Sequence, residues 1–228
     1  MNQNILKIIR DSKFSFSQLS CCYPELCALK NIPQNPEYHK EGDVYHHTEL
    51  VCEKLLALFE WKELTQEEQE LLFLAAAFHD IGKIYCTKQE NGIWISPKHT
   101  IVGERVFRQM AYKKAEQYSF TFHQRETIAK LIRYHGLPIW FWTKDRTEFD
   151  LLKAAESIPL RLLYLLSKAD VTGRITKDPA PFVEQVELFA DYAQELGVWK
   201  KSFAFANPYT KYQYFHREKL WHKAELCD

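Results

Sequence analysis

The 228-residue sequence predicts an all-α fold, a helical bundle carrying one small β-hairpin, and three observations carry that prediction. Glycine is scarce, with seven residues in all, while strong helix formers are abundant. Five segments between residues 44 and 171 repeat apolar side chains at three- and four-residue steps, the period of a helix buried on one face. Only one stretch, around Asn91-Gly92, combines β-formers with a hairpin turn signal.

Taken in order, residues 1–40 form a lead-in expected to pack on the main domain, and the Pro- and Asn-containing stretch at 31–41 marks its boundary. The main domain is assigned to residues 41–200. Its first helix, residues 44–60, aligns Val44, His47, Val51, Leu55 and Leu58. The second opens on Thr65-Gln66-Glu67-Glu68, a capping box that satisfies free N–H groups of the first turn. It runs to His79-Asp80, is apolar all round from Leu71 to Phe78 as a central buried helix should be, and meets Gly82 as terminator. Residues 83–97 read as a hairpin, a surface flap turning at Asn91-Gly92. A third helix from about Pro97 places His99, Val102, Val106 and Met110 on one stripe. A fourth, from about Phe122, aligns Ile128, Leu131, Ile132 and His135, and the Gly136-Leu137-Pro138 run ends it. Residues 139–150 read as a loop, residues 158–171 as a fifth helix carrying Asp170 on its apolar stripe, and residues 181–196 as another. Residues 201–228 are an aromatic and basic tail without a clear period.

Composition narrows the function. Thirty basic residues balance thirty acidic ones, so no overall positive field draws the chain onto nucleic acid or an anionic membrane, and a nucleic-acid substrate has to be held locally. The six cysteines (Cys21, Cys22, Cys27, Cys52, Cys86 and Cys227) show neither metal-type pairing nor a secreted framework, and read as free thiols in a reducing compartment. No segment reaches the roughly 18 to 20 apolar residues of a membrane span. A cytoplasmic protein with no membrane partner is the expectation.

Placement of the histidines is more telling. One histidine on an apolar helical stripe is usually a core residue satisfied by its neighbours. Here His47, His79, His99 and His135 on four helices, together with Asp80 and Asp170, all occupy buried stripes or buried helix ends. An unpaired carboxylate there needs a cation or a proton. One shared metal site explains all six placements. Imidazole and carboxylate suit Mn, Fe, Co, Ni or Zn without choosing among them. Ligands scattered over several helices leave room for water or substrate, unlike a closed structural zinc site.

His47, His79-Asp80 and Asp170, with the string FHDIGK, resemble the H...HD...D signature of the HD superfamily of metal-dependent phosphohydrolases. His99 and His135 match the two additional histidines of members that bind two metals. The resemblance covers about residues 42–175 and implies an all-helical HD-domain bundle, one or two divalent transition-metal ions and phosphoester hydrolysis. The superfamily also contains di-iron oxygenases, which would use the same ligands, and a non-catalytic module pinned by its metal is a third reading. The strings GDVYHHTELV, RYHGLPIWFW, LLSKADVTGR and FANPYTKYQYF are similar to the HD half of bacterial RNA end-healing proteins in which an HD phosphoesterase precedes a polynucleotide kinase. That likeness implies removal of 2′,3′-cyclic or 2′-phosphate ends from nucleotides or RNA. The kinase half would need a GxxxxGK phosphate loop ending in Ser or Thr, and the sequence has none. The chain then reads either as a free-standing phosphoesterase or as one piece of a split or truncated protein, for which a separate kinase is the corresponding partner.

On this reading His47, His79, Asp80 and Asp170 hold a first metal, and Asp80 bridges to a second held by His99 and His135. A metal-activated hydroxide attacks phosphorus, with Asp80 and Lys83 as the catalytic pair. Lys83 neutralises a phosphate oxygen or, equally, faces a helix dipole. His46, Arg133 and Arg174 are candidate substrate contacts. Tyr134, Trp140, Phe141 and Trp142 either stack a nucleobase or pack as a lid. His39, His123, His216 and His222 receive no role.

Overall fold

A computed structural model describes residues 4–143, 147–200 and 211. The helices are α1 Ile5–Asp11, α2 Phe16–Cys22, α3 Pro24–Cys27, α4 Val44–Ala57, α5 Gln66–Phe78, α6 Lys83–Cys86, α7 His99–Lys113, α8 Ala115–Tyr118, α9 Phe122–Tyr134, α10 Gly136–Ile139, α11 Thr147–Ala155, α12 Leu160–Gly173 and α13 Ala180–Glu195. The hairpin strands are β1 Lys88–Glu90 and β2 Ile93–Ile95. The fold is all-α with one hairpin.

The centre is α5. Thr65 accepts from the Glu68 N–H, and the Glu68 carboxylate in turn accepts from the Thr65 N–H, so the predicted capping box is formed. Every residue from Glu70 to Phe78 is buried, and each fully buried Leu or Phe there contributes about 1.5–3 kcal/mol. Helices α4 and α9 flank α5, α12 packs on α4 and α13, and α7 packs on α9. The lead-in shares this core: Ile5, Ile9, Leu19 and Leu26 are fully buried, and the one buried carboxylate of α5, Glu70, is neutralised by Arg10 of α1.

Three sequence expectations about element boundaries are corrected. The first helix ends at Ala57, and a 3-10 turn, Phe59–Glu63, follows it. Lys83–Cys86 is a helical turn rather than a strand, because its backbone groups pair locally, Lys83 N–H to the Asp80 carbonyl and Thr87 N–H to the Lys83 carbonyl. The strands are therefore three residues each, with Gln89 opposite Trp94. Asn91 and Gly92 both have positive φ, as a two-residue primed turn requires. Residues 139–150 are largely ordered secondary structure: Phe141–Thr143 is a 3-10 turn whose Phe141 packs edge-on against Phe189 of α13, and α11 begins at Thr147. Its buried Phe149, Leu151, Leu152 and Ala155 are the helical period that the charged run before them obscured.

Gly82 has a different role from the one its position suggested. Its φ is −68°, an ordinary helical value, so it does not terminate α5 through a left-handed conformation. It is needed for close approach. A Cβ there would lie 2.0 Å from the His99 carbonyl oxygen and 2.6 Å from the Gly103 nitrogen. The turn after α5 thus rests backbone to backbone on the first turns of α7, and this contact carries His99 toward Asp80.

The five described cysteines are free. No helix among the described residues is long and apolar enough to cross a membrane. The tail expected at 201–228 lies outside the described residues apart from Lys211.

Candidate metal centre

His47, His79, Asp80, His135 and Asp170 are buried, and they converge with half-buried His99 at one place. His47 comes from the first turn of α4, His79 and Asp80 from the end of α5, His99 from the start of α7, His135 from the end of α9, and Asp170 from the last turn of α12. His47 Nε2 lies 3.2 Å from Asp170 Oδ1 and 3.9 Å from Asp80 Oδ2. His79 Nε2 lies 3.2 Å from Asp80 Oδ2, while Asp80 Oδ1 faces His99 Nε2 at 3.5 Å and His135 Nε2 at 3.9 Å. The donor atoms form two overlapping sets, His47/His79/Asp170 and His79/Asp80/His135, each with its atoms within 4.8 Å of one another.

One local device aims three of the rings. His79, His99 and His135 each place Nδ1 on the carbonyl three residues earlier, Ala76 at 2.7 Å, Ser96 at 2.8 Å and Ile132 at 2.9 Å. A carbonyl only accepts, so Nδ1 carries the proton and Nε2 of each neutral ring presents a lone pair to the centre. His99 Nε2 and His135 Nε2 then face each other at 3.4 Å, two lone pairs with no proton between them. His79 Nε2 and Asp80 Oδ1 are buried without a hydrogen-bond partner. Such orphaned donors fit a divalent cation, which every one of these atoms can ligate.

Charge is balanced in two ways. Lys83 Nζ sits 2.7 Å from Asp80 Oδ2 and 2.7 Å from Gln34 Oε1. Arg174 grips Asp170 with two bonds of 3.1 Å. Burial pushes both aspartates up, but the Lys83 ammonium and neighbouring His79 hold Asp80 well below the carboxylate range, and Arg174 and His47 do the same for Asp170. Burial lowers His135 to about 3 and His39 to about 4, whereas at His79 the adjacent Asp80 outweighs burial and raises it. His39 and His135 therefore stay neutral in the fold at a pH where the unfolded chain protonates them. Between about pH 6.5 and 4 the unfolded state binds more protons, so stability is lost as the pH is lowered through this window, His79 opposing. Thermal unfolding of the metal-free protein should show the melting temperature decreasing over this window; a flat or rising profile would contradict it.

Lys83 and Arg174, both predicted as phosphate contacts, line the cavity that opens on the centre, about 350 Å³ in volume and walled also by Gln34, Tyr38, Trp94 and Trp140. The other two do not reach it. The side chain of His46 is 62% exposed and bonds Asp43, the residue capping α4. Arg133 lines an adjoining cavity instead.

Sequence reasoning missed Glu41 and His39. Glu41 Oε1 lies 2.9 Å from His47 Nδ1 and 2.7 Å from His39 Nδ1, and its other oxygen accepts the Ile175 N–H at 3.0 Å. Burial pushes Glu41 up, but its bonds from His39 and His47 win and hold it far below its usual range. Both residues sit in an aperiodic loop ahead of α4, where nothing in the pattern marks a buried carboxylate. Glu41 fixes the ring of His47, as outer carboxylates do for metal-bound histidines. Glu41→Gln should weaken metal binding about 10–100-fold, read by titration with a competing chelator; unchanged affinity would remove Glu41 from this role.

The model of the HD domain family matches residues 43–173, more than half the chain, and the span runs from the cap of α4 to the end of α12. The chain belongs to the HD domain family. HD domains bind divalent metals and are generally metal-dependent phosphohydrolases, and the centre lies inside the matched span, whereas His39 and Glu41 precede it. This HD domain chain is also similar to the Multifunctional CCA protein of Xanthomonas campestris pv. campestris, 28% identical over 82% of this chain and 43% of that protein. The Multifunctional CCA protein of Pasteurella multocida is 35% identical over 31% of this chain and 16% of its own length, and that of Hahella chejuensis 38% identical over 34% and 15%. The chain spans less than half the length of these relatives.

Proposed function

We propose that the protein is a metal-dependent phosphohydrolase acting on 2′,3′-cyclic or 2′-phosphate ends of nucleotides or RNA. The observation that carries this reading is a cluster of orphaned imidazole and carboxylate donors at the base of a cavity whose wall holds two cations, Lys83 and Arg174. His47, His79, Asp80 and Asp170 would hold one divalent ion, and Asp80, His99 and His135 a second. Bound there, such ions supply Lewis acidity toward a phosphoryl oxygen and lower the pKa of water from about 15.7 toward about 7.

The chain's own residues do the rest. Asp80 directs its two oxygens to different histidines, so one carboxylate serves both ligand sets. Lys83 and Arg174, paired to Asp80 and Asp170, would be placed to meet non-bridging phosphate oxygens with metal held by the carboxylates, and positioned positive charge is the main demand of phosphoryl transfer. Tyr38, Trp94 and Trp140 on the cavity wall offer apolar faces to a ribose or base. The end-group specificity rests on the likeness to RNA end-healing phosphoesterases.

The test is a panel of 2′,3′-cyclic nucleotides, 2′- and 3′-phosphates and RNA ends, each assayed with Mn, Fe, Co, Ni and Zn. Phosphoester hydrolysis that a chelator abolishes and added metal restores is expected. Oxygen consumption without phosphate release would replace the hydrolase by an oxygenase, and metal binding with neither activity would leave a binding module.

A further inference from the structure

Two cavities meet at the metal centre. The first holds the ligands. The second, about 270 Å³, is lined by Thr100, Arg133, Tyr134, Leu137, Asp150 and Lys153, and shares His99, Gly136 and Trp140 with the first. A volume of about 350 Å³ accommodates roughly one nucleotide, so a longer substrate has to leave the first cavity somewhere, and the second cavity adjoins it at these three residues.

The second cavity is suited to what would come through. Arg133 and Lys153 face one carboxylate, Asp150. Arg133 also approaches the buried Glu104, its Nε 3.7 Å from Oε2, while Arg108 and Lys130 both hold Oε1 at 2.8 Å. On α7 and α9, Arg108, Arg125, Lys130 and Arg133 share two carboxylates, Glu104 and Glu126, and Arg133 is the one of these four that lines the cavity. At the junction Trp140 leaves 42% of its surface to solvent while its edge is fixed against Phe182 at 5.5 Å. A rigid, exposed indole between a reactive pocket and a cationic one is a stacking face that tolerates any base.

We infer that the second cavity is a subsite for the penultimate nucleotide, binding its phosphodiester through Arg133 and Lys153 while a base stacks on Trp140, so that the enzyme acts on polynucleotide ends in preference to mononucleotides. This rests on the hydrolase reading and adds to it the length of the substrate.

The experiment compares a mononucleoside 2′,3′-cyclic phosphate with a dinucleotide carrying the same cyclic end, in the wild type and in the Arg133→Ala/Lys153→Ala double variant. Wild type should show a KM about tenfold lower for the dinucleotide at equal kcat, as one charge-assisted phosphate contact supplies, with a steeper salt dependence. In the double variant that advantage should collapse to within about twofold, mononucleotide kinetics being unchanged. Equal KM values in wild type, or an advantage that survives the double substitution, would overturn the subsite. Calorimetric binding of the same pair separates the two claims. Tighter dinucleotide binding that needs Arg133 and Lys153, without cleavage, supports the subsite and sinks the hydrolase; cleavage with no length preference in binding does the reverse.

Discussion

Replacing Asp80 by Asn should lower phosphoester hydrolysis by about a thousandfold or more while leaving the far-ultraviolet helical signal almost unchanged. The carboxylate is the only described group whose two oxygens face different members of the ligand set, Oδ2 toward His79 and His47, Oδ1 toward His99 and His135. Asn keeps the shape and removes the charge that ties both metal positions together, and loss of one preorganised electrostatic group costs about 10²–10³ in rate. Here ligation fails as well, so bound metal, measured by elemental analysis, should fall in parallel. Lys83 loses its ion partner and keeps only Gln34. Removing one partner of a buried ion pair costs about 3–5 kcal/mol, which a protein of this size shows as a lower melting temperature rather than an unfolded chain. An Asp80→Asn protein that hydrolyses at the wild-type rate would place catalysis elsewhere.

Gly82→Ala should produce the largest stability loss of any single methyl addition at a described glycine. The new carbon would stand 2.0 Å from the His99 carbonyl oxygen and 2.6 Å from the Gly103 nitrogen. Both are backbone atoms, so no side chain can rotate away. Overpacking costs about 1–3 kcal/mol when side chains yield; with only backbone to move, about 3 kcal/mol or more is expected, a fall of roughly 6–12 °C in melting temperature. Helix α7 has to slide, His99 moves with it, and metal affinity should drop together with stability. Gly136→Ala is the control: nothing lies within 4 Å of its added carbon and its φ is not positive. A Gly82→Ala protein as stable as the Gly136→Ala protein would show that the close contact is not a constraint.

Which parts of this molecule were legible in sequence depends on whether they repeat. The α5 capping box, the buried stripe of α4 and the Asn91-Gly92 turn each follow from local chemistry, and all three are present. Asp170 could be singled out because a carboxylate on an apolar stripe is conspicuous. Glu41 was invisible because its reason for being buried, two imidazoles and a backbone N–H, comes from His39 beside it and from His47 and Ile175 further along the chain. Gly82 was visible, but its cause was misassigned: the sequence shows a glycine after a helix, and only three dimensions show the second backbone resting on it. Helix α11 was hidden because its apolar period starts within a run of charges. The tautomers of His79, His99 and His135 were legible only in hindsight, since a carbonyl three residues back is a neighbour of any helical residue.

The loop ahead of α4 is stitched to the loop after α12. Lys40 N–H donates to the Ile175 carbonyl at 2.9 Å, Ile175 N–H returns to Glu41, and Thr176 reaches the Glu37 carbonyl at 3.2 Å. More than 130 residues of chain lie between the two sides of this stitch, and nearly the whole HD domain is enclosed by it. Contacts of such long range pay their loop-closure entropy late in folding, after local helices exist. His47 and Asp170, which flank the stitch, therefore meet only when the ring of chain has closed. A half-folded molecule can hold most of its helices and still lack the His47/Asp170 pair, so filling of that metal position is coupled to completion of the fold, and in a nascent chain it waits until the last matched helix has been made.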